Sequence, residues 1–244
     1  MALLHVLSRL RKSMNLTIFA HGVDHGLRSE ARSELDLAAE FAERCDVPFS
    51  RTALQVPEGG NLQARARVAR LGALREAARA NGATLVATAH HADDRAETVL
   101  LRLLRGTSTR GLAVLPPRAG DLIRPFVRAR KADIAAHMAR HGVPSVLDPS
   151  NENRRFLRVR VRERLMPLLA ELSPQIVQNL VSLADDACEA VPLVIDEAGA
   201  VIGLNRAQLA ELRRARRLSS RERVLRLSGG RELRVDPATG RARS

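Results

Sequence analysis

Tyrosine and tryptophan are absent from this 244-residue chain and phenylalanine occurs only five times. A surface that binds nucleic acid by stacking bases on aromatic rings is therefore disfavoured, and backbone and shape contacts would have to dominate any such surface. Cysteine is nearly absent as well. Cys45 and Cys188 lie far apart with no Cys-x-x-Cys or Cys/His spacing, which fits neither a disulfide framework nor a structural zinc site and marks both as reduced, buried thiols. No apolar run approaches the ~20 residues of a membrane helix. Arg9, Arg11 and Lys12 stand where a signal peptide would place its cleavage site, so no export and no membrane are expected and the chain reads as cytoplasmic.

Lysine is scarce too, Lys12 and Lys131 being the only two, yet Lys plus Arg number 40 against 27 Asp plus Glu, a net charge of +13. Almost all of that charge is arginine. A polyanion would release counterions on binding it, which makes nucleic acid the natural partner; an Arg-rich genome that places Arg on every solvated face is the alternative source of the same composition.

Helical and strand-like patterns alternate through the first half of the chain. Apolar residues at Leu3, Leu4, Leu7 and Leu10 have helical spacing. Leu16 to Ala20 is a β-prone run, and a helix starting at Ser29 or Ser33 closes near Cys45. Phe49 to Val56 reads as a second strand, and Asn61 caps a long helix that Asn81-Gly82 ends. Thr84 to Thr88 is too short for a helix and leads into one from Ala92 to Arg105, stopped by Gly106. Such alternation implies a parallel sheet covered on both faces, with ligands bound beyond the carboxyl ends of its strands. From Lys131 helices take over: Lys131 to Arg140, Arg155 to Leu169, and one with Ser173 as N-cap and Pro174 at its first position. The expected division is a Rossmann-like sheet domain over 1–130, a helical subdomain over 131–190, and a small α+β segment over 191–244. That last segment has two short strands around 196–199 and a disordered tail from Asp236.

The densest reactive cluster is His90-His91-Ala92-Asp93-Asp94-Arg95-Ala96-Glu97-Thr98, where the third strand turns into a helix. Asp93, Asp94 and Glu97 are what a first helical turn favours. Two adjacent histidines cannot share one capping role, so catalytic or metal use and structural capping stay equally open. Asp24, His25, Gly26 and Arg28 follow the first strand, with Gly26 suited to a tight turn. Arg67 and Arg70 share one face of the long helix. After the turn signature Asp148-Pro149-Ser150-Asn151, arginines at 154, 155, 158, 160 and 162 interleave with Phe156, Leu157, Val159 and Val161, which a fully solvated charge run would lack.

In order, Asp-His-Gly-Leu-Arg at 24–28, Gly-Asn-Leu-Gln-Ala-Arg-Ala-Arg at 60–67, His-His-Ala-Asp-Asp-x-Ala-Glu-Thr at 90–98 and Asp-Pro-Ser-Asn at 148–151 resemble the markers of the tRNA(Ile)-lysidine synthases, N-type ATP pyrophosphatases. The likeness extends over residues 1 to 190. It implies a Rossmann-like, adenine nucleotide alpha hydrolase-like sheet that lacks its N-terminal strand here, followed by a helical subdomain. It also implies ATP-dependent joining of L-lysine to the wobble cytidine of tRNA(Ile) with a CAU anticodon, with release of AMP and pyrophosphate. On this resemblance Asp93, Asp94, His90, His91 and Arg70 are the catalytic candidates and Asp24, His25 and Gly26 the ATP region. Asp94 is the candidate for Mg2+, and Arg67, Asn151, Arg154, Arg158 and Arg162 are those for tRNA. A homodimer is compatible with it.

The chain departs from the family pattern in four places. The Ser-Gly-Gly-x-Asp-Ser loop that cradles the ATP phosphates normally ends just before Met-Ala-Leu-Leu, the first residues here. A start assigned too late is the expected reason, and a tRNA-binding remnant without activity the alternative. Val159 stands where Asn is usual, Arg95 where Gln is common, and Gly22 where a His precedes Val-Asp-His. Competing readings are a tRNA thiolase, which needs reactive cysteines, a basic tRNA-binding module, and a metal-dependent hydrolase around His90, His91 and Asp94.

Overall fold

The computed structural model describes residues 1–24, 31–54, 62–145, 157–190, 194–195, 201–202, 208, 211, 214, 223–226, 232–236 and 242–243. Helix α1 (Ala2–Leu10) precedes β1 (Ala20–Asp24), α2 (Ala31–Arg44), β2 (Phe49–Ala53), α3 (Leu62–Ala80), β3 (Val86–Ala87) and α4 (Ala92–Leu104). A hairpin of β4 (Arg118–Ala119) and β5 (Leu122–Ile123) leads to α5 (Lys131–Arg140). Then come α6 (Leu157–Arg160), α7 (Met166–Leu172) and α8 (Ile176–Ala190).

Parallel pairing confirms the α/β class. β1 pairs with β2 in parallel, Ala20 opposite Phe49, and β3 pairs with β5 in parallel, Val86 opposite Leu122. Among the described residues the two ladders are not joined: β1–β2 is one sheet and β3–β5–β4 another. The first strand begins at Ala20 rather than Leu16, because its partner β2 starts at Phe49; Leu16 and Phe19 lie outside the ladder, 37% and 38% exposed. A β-carbon at Gly22 would press into Leu35 of α2 and come within 3.0 Å of Phe49. This close helix–strand approach favours glycine at this position, while strand alternation puts His21 and Val23 on the opposite face.

The helical core does not divide at residue 131. Ala92, Ala96, Val99, Leu100 and Leu101 of α4 share one buried cluster with Leu112, Val114 and Val161, and with Val177, Leu180, Val181, Ala184 and Ala187 of α8. Each buried Val or Leu of the cluster contributes roughly 1.5–3 kcal/mol, so α4 belongs as firmly to the helices after it as to the sheet before it. Arg95 ties the same two helices. It is completely buried; its Nε donates to the Val114 carbonyl at 3.0 Å and its Nη1 to Asp185 at 2.7 Å. The Arg that replaces the family's Gln thus has its own partner on α8.

The helix expected over 155–169 runs from Leu157 to Leu172, with a π-helical turn at Val161–Leu165 between α6 and α7. Pro167 supplies the cause. It has no N–H to give and its ring crowds the carbonyl four residues back, so the preceding turn widens and the Met166 N–H reaches Val161. Ser173 serves as the C-cap of α7 instead of capping α8 with its side chain, and α8 starts two residues beyond Pro174. In the C-terminal segment β6 (Val194–Ile195) and β7 (Val201–Ile202) pair antiparallel as expected. The tail expected to be disordered carries β10 (Ala242–Arg243), which pairs with β9 (Glu232–Val235) and, through it, with β8 (Arg223–Arg226). Leu225, Val235 and Ala242 give that small sheet buried residues.

Candidate functional site

The third strand delivers His90 and His91 to the first turn of α4, and the two histidines do different things. His91 is the N-cap: its Nδ1 accepts from the Asp94 N–H at 3.3 Å, while the Asp94 carboxylate accepts from the His91 N–H at 3.2 Å. This reciprocal pair satisfies two orphan donors of the helix start. His90 turns away, 3.0 Å from the Thr88 hydroxyl, into a half-buried setting. Burial first, then the nearby arginines Arg124, Arg67 and Arg70, overcome the attraction of Asp94 and lower its pKa to about 4. It is a neutral imidazole near pH 7.

Asp93 points to the start of α5. Its carboxylate accepts from the Lys131 N–H at 2.7 Å and from Arg130 at 3.3 Å. Burial works against its ionisation, but these two donors hold it below the usual carboxylate range. Glu97, one turn into α4, is buried and takes three hydrogen bonds: from Arg158 Nε at 3.0 Å, Arg162 Nε at 2.7 Å and Arg162 Nη2 at 3.1 Å. Arg158 also reaches Asp94 at 3.0 Å. Around these groups lies a cavity of about 390 Å³ lined by His91, Asp93, Asp94, Glu97, Lys131, Arg162 and Met166. Three carboxylates face it, each paired with an arginine or a backbone N–H, beside the cationic Lys131 and Arg162.

A second, cationic cluster adjoins it. Arg70 is half-buried, and burial followed by repulsion from Arg67 weakens its hold on its proton. Arg124 is 5% exposed; its Nη1 donates to the Pro116 carbonyl at 2.7 Å, and its Nε is buried without a partner. Three guanidinium groups around a neutral His90 suit a phosphate or another anion.

The sequence-derived candidates divide accordingly. Asp93, Asp94 and His91 line one cavity, and His90, Arg67 and Arg70 share the neighbouring cluster. Asp24 ends β1, its carbonyl accepting from the Leu54 N–H at 2.7 Å. His25, Gly26, Asn151 and Arg154 lie outside the described residues. Arg158 and Arg162, expected to face tRNA phosphates, turn inward onto Glu97 and Asp94. Glu97, expected as a helix-start acid, instead lines the cavity under two arginines, and its place one turn after Asp94 is the sequence signal for it. Asp94 does not fit as a magnesium ligand in this arrangement, because one oxygen is held by Arg158 and the other by the His91 N–H. Among the described residues no group of three or more His, Cys, Asp or Glu is placed to hold a metal ion.

Residues 1–169 match the PP-loop domain family. The chain belongs to the PP-loop family. Among curated relatives of this PP-loop chain, a tRNA(Ile)-lysidine synthase of Novosphingobium aromaticivorans is 43% identical over 148 residues, covering 58% of this chain and 45% of the relative. The enzyme of the same name from Pseudomonas fluorescens is 37% identical, covering 85% and 47%. That of Thermotoga maritima is 33% identical, covering 75% and 46%. The chain thus spans less than half the length of these relatives. Among solved structures, the tRNA thiolase NcsA from Methanococcus maripaludis, determined with its iron–sulfur cluster, superposes with a TM-score of 0.60. It is 16% identical, and the match covers 76% of this chain and 68% of the thiolase. That likeness speaks for the PP-loop, adenine nucleotide alpha hydrolase-like fold alone. Cys188 lies outside the cavity lining, and burial pushes its thiol up. No helix among the described residues is long and apolar enough to cross a membrane.

Proposed function

We propose that this chain carries the lysine and nucleotide chemistry of a tRNA(Ile)-lysidine synthase acting in the cytoplasm. The observation that carries the reading is the juxtaposition of a carboxylate-lined cavity with an arginine cluster at the start of one helix. The reaction needs both. In its first step the cytosine carbonyl oxygen of the wobble cytidine attacks the α-phosphorus of ATP, and pyrophosphate leaves. In its second the lysine side-chain amine attacks that carbon, loses a proton, and AMP departs.

Asp94, Glu97 and Asp93 are the candidates to receive the ammonium of lysine, which takes the place of guanidinium contacts that Arg158, Arg162 and Arg130 make to them. Arg158 and Arg162 hold the two inner carboxylates in position. Arg67, Arg70 and Arg124 face the phosphate that accumulates charge as AMP leaves, an electrostatic role that the low exposure of Arg124 and the half-burial of Arg70 strengthen. His90, neutral at working pH, adds no competing charge and can donate or accept one hydrogen bond there. Asp24, His25 and Gly26 border the ATP. Magnesium bound to the ATP phosphates would offset their charge, and no residue among the described ones is assigned to it. The large positive charge attracts the tRNA backbone, with Arg67 and, by the family resemblance, Asn151 and Arg154 as candidate contacts.

The test is transfer of radiolabelled lysine to an isoleucine tRNA transcript with a CAU anticodon, using the gene product that contains this chain, with ATP and magnesium. Label on the tRNA that disappears with Asp94→Asn supports the reading. Tight tRNA binding without label in any form would instead support a binding remnant.

A further inference from the structure

Helix α1 meets α5 through three imidazoles. His5 Nδ1 lies 2.9 Å from His137 Nε2, and the ring centroids are 5.0 Å apart for His5 and His137, 5.1 Å for His5 and His141, and 4.5 Å for His137 and His141. The same His5 ring stands 6.2 Å from Phe41 of α2, whose face is covered by Arg44. The charged groups acting on the trio are Arg9 from α1 and Arg140 from α5, both cationic. A nitrogen–nitrogen hydrogen bond requires at least one neutral ring, because an imidazolium has two donors and no acceptor.

We propose that His5, His137 and His141 form a proton-sensitive clasp that holds α1 against α5 while the rings are neutral and releases it when they are protonated. Burial first, and then the neighbouring cations, hold His5 and His141 below the ordinary histidine range. The sign follows: the closed contact is fully present above about pH 6.5, the free histidine value, and is lost as pH falls through the depressed values. The far end of α5 is pinned, since the Lys131 N–H holds Asp93 at the cavity. Release at the histidine end therefore loosens a helix whose other end forms the cavity wall. The clasp rests on its own geometry and stands or falls independently of the proposed function.

Hydrogen exchange measured by mass spectrometry at pH 7.5 and 5.5, expressed as protection factors, tests it. Protection in α1 and α5 should fall by up to about tenfold for each histidine kept neutral in the closed contact. α8, which has no histidine, should keep its protection. In His5→Gln/His137→Gln/His141→Gln the step between the two pH values should vanish; if circular dichroism shows that this variant fails to fold, the exposed single change His141→Gln should shrink the step. Equal protection of α1 and α5 at both pH values in the wild type, or an undiminished step in the variants, would overturn the proposal.

Discussion

Replacing Glu97 by Gln keeps the shape of the side chain and removes the charge on which two arginines converge. Glu97 is 4% exposed, whereas Arg158 and Arg162 retain 43% and 35% exposure. Breaking a fully buried ion pair costs roughly 3–5 kcal/mol and an exposed pair about 1 kcal/mol or less. Both arginines can recover water, and Asp94 remains 3.0 Å from Arg158 and 3.9 Å from Arg162, so the loss should fall between these limits, at about 2 kcal/mol. Urea unfolding of Glu97→Gln beside the wild type reads it directly, and Asp36→Asn provides the exposed comparison. The Arg51–Asp36 pair is 59% and 60% exposed and should contribute less than about 0.5 kcal/mol. A cycle with Arg162→Ala should return a coupling of about 1 kcal/mol or more. A Glu97→Gln effect no larger than that of Asp36→Asn would refute the picture of an interior acid clamped by the π-bulged helix.

Asp185→Ala should destabilise the protein by about 3 kcal/mol in the same assay, because it strands the fully buried Arg95 guanidinium, while Arg128→Ala at the 66% exposed end of that network should cost under about 1 kcal/mol. Similar costs for the two would contradict the central role of Arg95. By NMR the His90 imidazole should stay neutral down to about pH 4; since its folded pKa lies below the free value, the stability it contributes is full above about pH 6.5 and is lost as pH falls through 4. A midpoint near 6.5 would contradict the burial of the ring and the arginine cluster around it. Gly22→Ala should lower stability by about 1 kcal/mol, as Leu35 and Phe49 give way to the new methyl group; an unchanged or higher denaturation midpoint would contradict the close packing of α2 on β1.

Helices with strong local signals were legible in the sequence. Lys131–Arg140 has its expected bounds, and α4 ends one residue before the expected Arg105, ahead of Gly106 at φ 73°. The start of α4 was legible as a cluster but not as two roles, since the preferences that make Asp94 a capping residue also make it a pocket carboxylate. What failed to show was tertiary. Glu97 is buried by arginines more than sixty positions away, and the same pairing turns Arg158 and Arg162 from the expected outward surface into the site. The packing of α8 on α4 was not legible for a similar reason: the apolar face of α4 does not announce in sequence that α8 will cover it. The last strands were missed because two-residue pairing such as β10 on β9 leaves no periodic pattern.

Calorimetric titration of the chain with L-lysine and with norleucine, the same side chain without its ammonium, tests the central claim that the cavity at the start of α4 is a cation pocket. The structure leads to saturable lysine binding that weakens at least tenfold in Asp94→Asn, and to no norleucine binding. Equal affinity for the two amino acids, or lysine binding that ignores the loss of the Asp94 charge, would contradict it.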